Sequence, residues 1–131
     1  MGKEKILIVD DDEEICLELK EILEDEGYNV CYELDGLNGF ENILKNDYLL
    51  IIQDLKLPGM DGIELLKRIK RNKKDQKVIV LTGRPLNSAL LNENIYYKNE
   101  EFDLYSNADR IFNKPFDILE ILKNIKELIK E

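Results

Sequence analysis

The sequence predicts one α/β domain with a parallel sheet covered by helices on both faces, and three observations carry that prediction. Branched apolar runs such as Ile6-Leu7-Ile8-Val9 read as strands buried on both faces, which is how parallel strands look. These runs alternate with stretches of helical periodicity in β-then-α units, an order that right-handed crossovers join into a parallel sheet. Acids follow two of the runs with no spacer, Asp10-Asp11-Asp12 after the first and Asp54 after Leu49-Leu50-Ile51-Ile52-Gln53. They therefore sit at the carboxyl edge of the sheet, where open α/β sheets bind ligands.

Each element has its own signal. After the first strand, Ile15, Leu19, Ile22 and Leu23 lie on one face of an amphipathic helix. Glu13 and Glu14 suit the positive end of its dipole, and Gly27 ends it. Tyr28 to Tyr32 is a short strand around Val30, and Leu37, Phe40, Ile43 and Leu44 mark a second helix. The strand ending at Asp54 comes next. Pro58-Gly59 suits the centre of a type II turn, and Asp61 can cap a third helix carrying Ile63, Leu65, Leu66 and Ile69. Lys77 to Leu81 is a fourth strand ending on Thr82, and Ile111-Phe112 is a fifth ending before Lys114-Pro115. Ile118, Leu119, Leu122, Ile125 and Ile129 mark the last helix. Gly83 to Asp109 resists this pattern, with a breaker at Arg84-Pro85, the cluster Ala89-Leu90-Leu91 and a polar, aromatic run from Asn92 to Tyr105. A short helix followed by an extended loop is expected there.

Composition narrows the function. The chain has 131 residues, enough for one domain with a sizeable core, and its 44% hydrophobic and 36% charged content describes a globular protein. A formal charge of −9 argues against a nucleic-acid surface. There is no His, and Cys16 and Cys31 have no metal or redox spacing, which excludes the usual zinc sites and His-based catalysis. Both Cys are expected to be small core residues in a reducing cytosol. No apolar run reaches membrane-spanning length, and Ile6 to Val9 is too short for a signal-peptide core, so a soluble cytoplasmic protein is expected.

Four strand ends bring chemistry together: Asp10, Asp11 and Asp12 from the first, Asp54 from the third, Thr82 from the fourth and Lys114 from the fifth. Crowded carboxylates raise one another's pKa and call for a cation. Mg²⁺ takes one or two carboxylates, waters and a phosphate oxygen, and a carboxylate can accept a phosphoryl group as an acyl phosphate. A hydroxyl and an ammonium would bind the remaining phosphoryl oxygens. Bland alternatives exist for each residue. Asp12, Glu13 and Glu14 read as an acidic helix start, Asp54 alone could be a strand-end turn former, and Thr82 alone reads as structural. Lys114, placed before a proline in an apolar strand, signals a partner. The conjunction in one order points to phosphoryl transfer.

The segments Lys5-Ile6-Leu7-Ile8-Val9-Asp10-Asp11, Asp54-Leu55-Lys56-Leu57-Pro58-Gly59-Met60-Asp61-Gly62, Val80-Leu81-Thr82-Gly83 and Asn113-Lys114-Pro115-Phe116 resemble the receiver domain of two-component response regulators over nearly the whole chain. The resemblance implies a flavodoxin-like (βα)5 three-layer sandwich with strand order 2-1-3-4-5. It implies Asp54 as phosphoacceptor, Thr82 as switch hydroxyl and Lys114 as phosphoryl-binding ammonium. Mg²⁺ would be held by Asp10, Asp11, Asp54 and the backbone carbonyl of Lys56, and the Lys114-Pro115 bond would be cis. The implied partners are a sensor histidine kinase or histidine phosphotransfer protein and a downstream protein target, with no nucleic acid and no membrane insertion. Such a protein is a phosphoacceptor and not an enzyme beyond its own phosphorylation and dephosphorylation.

Because the sequence stops after the fifth helix, residues 1–131 are expected to be a single receiver domain with no output domain. That is similar to stand-alone receivers of the chemotaxis and sporulation-phosphorelay kinds. Lys56 in its motif and the ending Lys114-Pro115-Phe116-Asp117-Ile118 look more like the latter.

Two features depart from the family pattern. Ile111 stands where an aromatic residue is usual, which breaks the expected link between the switch hydroxyl and an aromatic rotation. Thr82 and Lys114 are also far apart for a minimal crossover. The excess falls between Gly83 and Asp109, where Tyr96, Tyr97 and Tyr105 could form a contact surface that carries the signal. Lys56 and Arg84 flank the expected path of hydrolytic water, and two long cations there predict slow self-dephosphorylation.

Two rivals stand beside this reading. One is a phosphate-independent receiver-like interaction module, motivated by Ile111 and the long connection. The other is a haloacid-dehalogenase-like phosphatase with Asp10 as nucleophile and Asp12 as the second acid, which leaves Asp54 unexplained.

Overall fold

The computed structural model describes residues 5–83 and 103–130. In chain order the elements are β1 (Lys5–Val9), α1 (Glu13–Asp25), β2 (Asn29–Glu33), α2 (Gly36–Lys45), β3 (Leu50–Gln53), α3 (Gly62–Asn72), β4 (Lys77–Thr82), β5 (Arg110–Asn113) and α4 (Ile118–Lys130). A helical stretch at 103–107 precedes β5. The strands form one sheet in the order β2-β1-β3-β4-β5, and every neighbouring pair is parallel. The flavodoxin-like order implied by the sequence is the observed one.

Burial explains why the central strands read as unbroken apolar runs. Ile6, Ile8, Ile52 and Leu81 point to a core shared with Leu19 and Leu23 of α1 and Ile121, Ile125 and Leu128 of α4. Leu7, Val9, Ile51 and Val80 point the other way, to Ile43 of α2, Leu65, Leu66 and Ile69 of α3 and Leu104. Each fully buried aliphatic side chain contributes about 1.5–3 kcal/mol. The central strands are thus buried on both faces and cannot show a polar alternation.

The helix starts share one device. Asp12 caps α1 by accepting from the N–H groups of Glu14 and Ile15, Asp35 caps α2 through Asn38, and Asp61 caps α3 through Ile63. Each cap therefore fixes a βα loop at the carboxyl edge of the sheet. Gly27, at φ 99°, ends α1, and Gly59, at φ 81°, supplies the left-handed residue that the Pro58-Gly59 turn requires.

The structure corrects several expectations. On α2 the buried stripe is Gly36, Gly39 and Ile43, while Leu37 and Leu44 are exposed. Small residues let the helix approach the sheet closely, since a Cβ on Gly39 would lie 2.9 Å from a methyl of Val9. On α4 the buried face is Ile121, Ile125 and Leu128, and Leu119 is 72% exposed. Cys16 is buried as expected, but Cys31 is exposed on β2, the edge strand of the sheet. Part of the run expected to be loop is helical. In 103–107, Leu104 packs into the second core, Asp103 pairs with Lys67 at 3.5 Å and Ala108 N–H donates to the Leu104 carbonyl. Arg84, Tyr96, Tyr97 and the Ala89–Leu91 cluster lie outside the described residues.

Candidate functional site

The carboxyl edge gathers side chains that are far apart in sequence. Asp10 directly follows β1 and Asp54 directly follows β3. The two strands pair, and the Asp54 N–H donates to the Val9 carbonyl at 2.9 Å, so the two acids stand side by side. Both are buried, Asp10 at 2% and Asp54 at 7% exposure. Lys114, just past β5, reaches across with its ammonium 2.8 Å from Asp10 Oδ2 and 3.0 Å from Asp54 Oδ2. Its own N–H donates to the Thr82 carbonyl at 2.8 Å, and the Lys114-Pro115 peptide is cis. Thr82 is buried at the end of β4, the strand lying between those of Asp54 and Lys114.

The remaining oxygens of the two buried acids are held by the backbone. Asp10 Oδ1 accepts from Asp12 N–H at 2.9 Å, and Asp54 Oδ1 accepts from Leu55 N–H at 2.7 Å. Burial pushes the Asp10 pKa above its ordinary value. The Lys114 and Asp12 hydrogen bonds pull it down without prevailing, and the nearby Asp54 charge adds to the rise. Burial also works against the Lys114 ammonium, yet its bonds to Asp10 and Asp54 hold its pKa above the ordinary value. Both partners of this pair thus shift upward. The ammonium is held in its charged form at neutral pH, and its contacts oppose the burial that raises Asp10.

Asp11 is exposed and completes an oxygen cluster. Carboxylate oxygens of Asp10, Asp11 and Asp54 all lie within 4.8 Å of one another. In an octahedral Mg²⁺ shell with bonds of about 2.1 Å, opposite ligands are about 4.2 Å apart, a spacing on the scale of this cluster, and an all-carboxylate donor set suits a hard divalent cation. Lys56 is exposed in the same loop, two residues beyond Asp54.

Asp12, which the phosphatase reading needed as its second acid, has its side chain engaged as the α1 cap. Sequence reading missed two residues around Asp54. Gln53 is buried and its Nε2 donates to the carbonyls of Asp54 at 3.2 Å and Gly62 at 2.8 Å. Gly62 packs so tightly that an added Cβ would lie 2.4 Å from the Asp54 carbonyl oxygen. The available signal for Gln53 was a polar residue closing an otherwise apolar strand immediately before the acid.

Comparison with known proteins agrees with this geometry. The family model for the response regulator receiver domain matches residues 6–126. Sporulation initiation phosphotransferase F of Bacillus subtilis is 36% identical over 134 residues, covering 98% of this chain and 96% of that protein. A transcriptional regulatory protein of the same organism, YkoG, is 34% identical over 131 residues, and the match spans only 53% of its length. The chain thus spans about half the length of that regulator and of the ArlR response regulators. Among solved structures, a CheY-like receiver domain protein of Methanospirillum hungatei aligns with a TM-score of 0.85 at 33% identity, covering 98% of this chain and 95% of the other. The Thermotoga maritima response regulator TrrA, solved in complex with Mg²⁺-BeF, aligns at 0.76 and 30% identity, covering 95% and 98%. The chain belongs to the response regulator receiver domain family of two-component signalling.

Proposed function

We propose that this chain is a phosphorylation-controlled switch in which Asp54 accepts a phosphoryl group from a phosphohistidine of a sensor kinase or phosphotransfer protein. The observation that carries this reading is the Lys114 ammonium shared between Asp10 and Asp54, beside a third carboxylate on Asp11. An oxygen of Asp54 attacks phosphorus, the P–N bond to the donor imidazole breaks, and an acyl phosphate forms. Asp10, Asp11 and Asp54, with the backbone carbonyl of Lys56, would hold Mg²⁺, whose chemistry when bound is to offset charge on the phosphoryl oxygens. Lys114 stays protonated and takes up a phosphoryl oxygen as charge spreads over the group. Thr82 supplies the hydroxyl on that side and reports the modification to β4. The Leu55 N–H, already on Asp54 Oδ1, keeps the carboxylate oriented during attack.

The chain thereby acts as a phosphoacceptor in a cytoplasmic signalling route, with protein partners on either side and no separate substrate to turn over. Among the described residues no helix is long and apolar enough to cross a membrane. Acetyl phosphate or phosphoramidate with Mg²⁺ is expected to add one phosphoryl group to the wild type and none to Asp54→Asn by intact mass spectrometry. Equal uptake by the variant would remove Asp54 from its role.

A further inference from the structure

Gln53 stands where an apolar side chain would satisfy the packing. It is 1% exposed, and its register partners Val9 and Val80 belong to the core under α2 and α3. Its Oε1 meets no donor among the described residues, an arrangement that costs stability. Its Nε2, by contrast, is fully used, on the Asp54 carbonyl at 3.2 Å and the Gly62 carbonyl at 2.8 Å.

The Asp54 carbonyl and the Leu55 N–H belong to one planar peptide unit, so holding one end fixes the other. That Leu55 N–H is the group that grips Asp54 Oδ1 at 2.7 Å. The Asp54 carbonyl lies against the first turn of α3, 2.4 Å from where a Cβ on Gly62 would stand, and the next peptide unit is held there too, with Gly62 N–H donating to the Leu55 carbonyl at 2.8 Å. We propose that Gln53 is a positioning residue for the phosphoacceptor. Its carboxamide sets the plane of the Asp54–Leu55 peptide against α3, and that plane holds the Asp54 carboxylate with Oδ2 turned to Lys114. The inference deepens the proposed function and rests on Asp54 being the acceptor.

The test replaces Gln53 by Met, which keeps an unbranched side chain of similar size, and by Leu as a second apolar variant. Three quantities are read: the maximal rate of Asp54 phosphorylation by acetyl phosphate, the thermal midpoint, and amide hydrogen exchange. The maximal rate is expected to fall on the order of tenfold, because a small misplacement of a reacting group is costly. Leu55 amide exchange should accelerate by about the same factor while amides of Leu19 and Ile125 keep their protection, and the midpoint should stay within a few degrees. An unchanged rate in variants of a wild type that does label at Asp54 would overturn the positioning role. So would protection lost equally at Leu19, Leu55 and Ile125, which marks general loosening. If the wild type is not labelled at Asp54, the acceptor reading fails, and Leu55 exchange alone decides whether Gln53 fixes that peptide.

Discussion

Replacing Lys114 by methionine keeps much of the side chain's length and removes the charge that two buried carboxylates share. The lost contacts are those at 2.8 Å to Asp10 and 3.0 Å to Asp54. Deleting one partner of a buried ion pair costs about 3–5 kcal/mol, because the remaining charge stays desolvated. Here each acid keeps one backbone N–H, from Asp12 or Leu55, which places the expectation near the lower bound, about 3 kcal/mol. With a urea m-value of about 1.5 kcal/mol/M, the midpoint should fall by roughly 2 M.

The pH dependence has a definite sign. Burial already raises the Asp10 pKa and the Lys114 contacts oppose that rise, so without the ammonium Asp10 ionises at higher pH in the folded than in the unfolded chain. The folded state then binds more protons, and stability falls as pH rises through that window. Acidification from pH 7 should therefore shrink the deficit of Lys114→Met relative to wild type. The assay is urea unfolding followed by circular dichroism, with chelator present, at pH 7 and pH 5. A loss under about 1 kcal/mol, or a loss equal at the two pH values, would refute the idea that Lys114 neutralises two desolvated acids.

Three further outcomes are expected. Asp11→Asn should weaken Mg²⁺ binding and slow phosphorylation while stability without metal changes by no more than about 0.5 kcal/mol, since Asp11 is exposed; calorimetric titration with Mg²⁺ checks this. Gly62→Ala should destabilise by about 3 kcal/mol and slow phosphorylation, because its Cβ would meet backbone atoms of Asp54 and Leu55 at 2.4 Å, whereas Gly83→Ala, whose Cβ would meet nothing within 4 Å among the described residues, should be near silent in the same unfolding assay. The acyl phosphate should persist for minutes or longer, and Lys56→Asn combined with Arg84→Glu should shorten it, as followed by loss of the phosphoryl mass; a wild-type half-life of seconds would contradict the shielding role of the two cations.

Much of the site was legible because parallel strands announce themselves as apolar runs, and their ends fall at one edge of the sheet. Asp10, Asp54, Thr82 and Lys114 could thus be placed together from strand ends alone, and the structure puts them there. Helix faces were less legible. Leucine spacing pointed α2 toward Leu37 and Leu44, but the buried stripe runs through Gly36 and Gly39, whose contribution is closeness and not hydrophobicity. On α4, apolar residues occupy more than one face, so the spacing singled out Leu119 and passed over Ile121 and Leu128, which are the ones buried. Cys31 was misplaced because edge and central strands look alike over five residues. Gln53 escaped notice because its partners are carbonyls of Asp54 and Gly62, and backbone partners leave no pattern in sequence.

The cation that holds Asp10 lies 104 residues further along the chain, and only docking of the last strand brings it in. During synthesis, the first four strands emerge before Lys114 exists, so a partial chain carries its acids without their counter-charge. On the proposed function, competence to accept a phosphoryl group therefore arrives late, together with completion of the sheet. A chain arrested or unfolded at β5 would lack the ammonium beside Asp10 and Asp54. The long reach from β5 to β1 makes the site its own check that the molecule has been made and folded to the fifth strand.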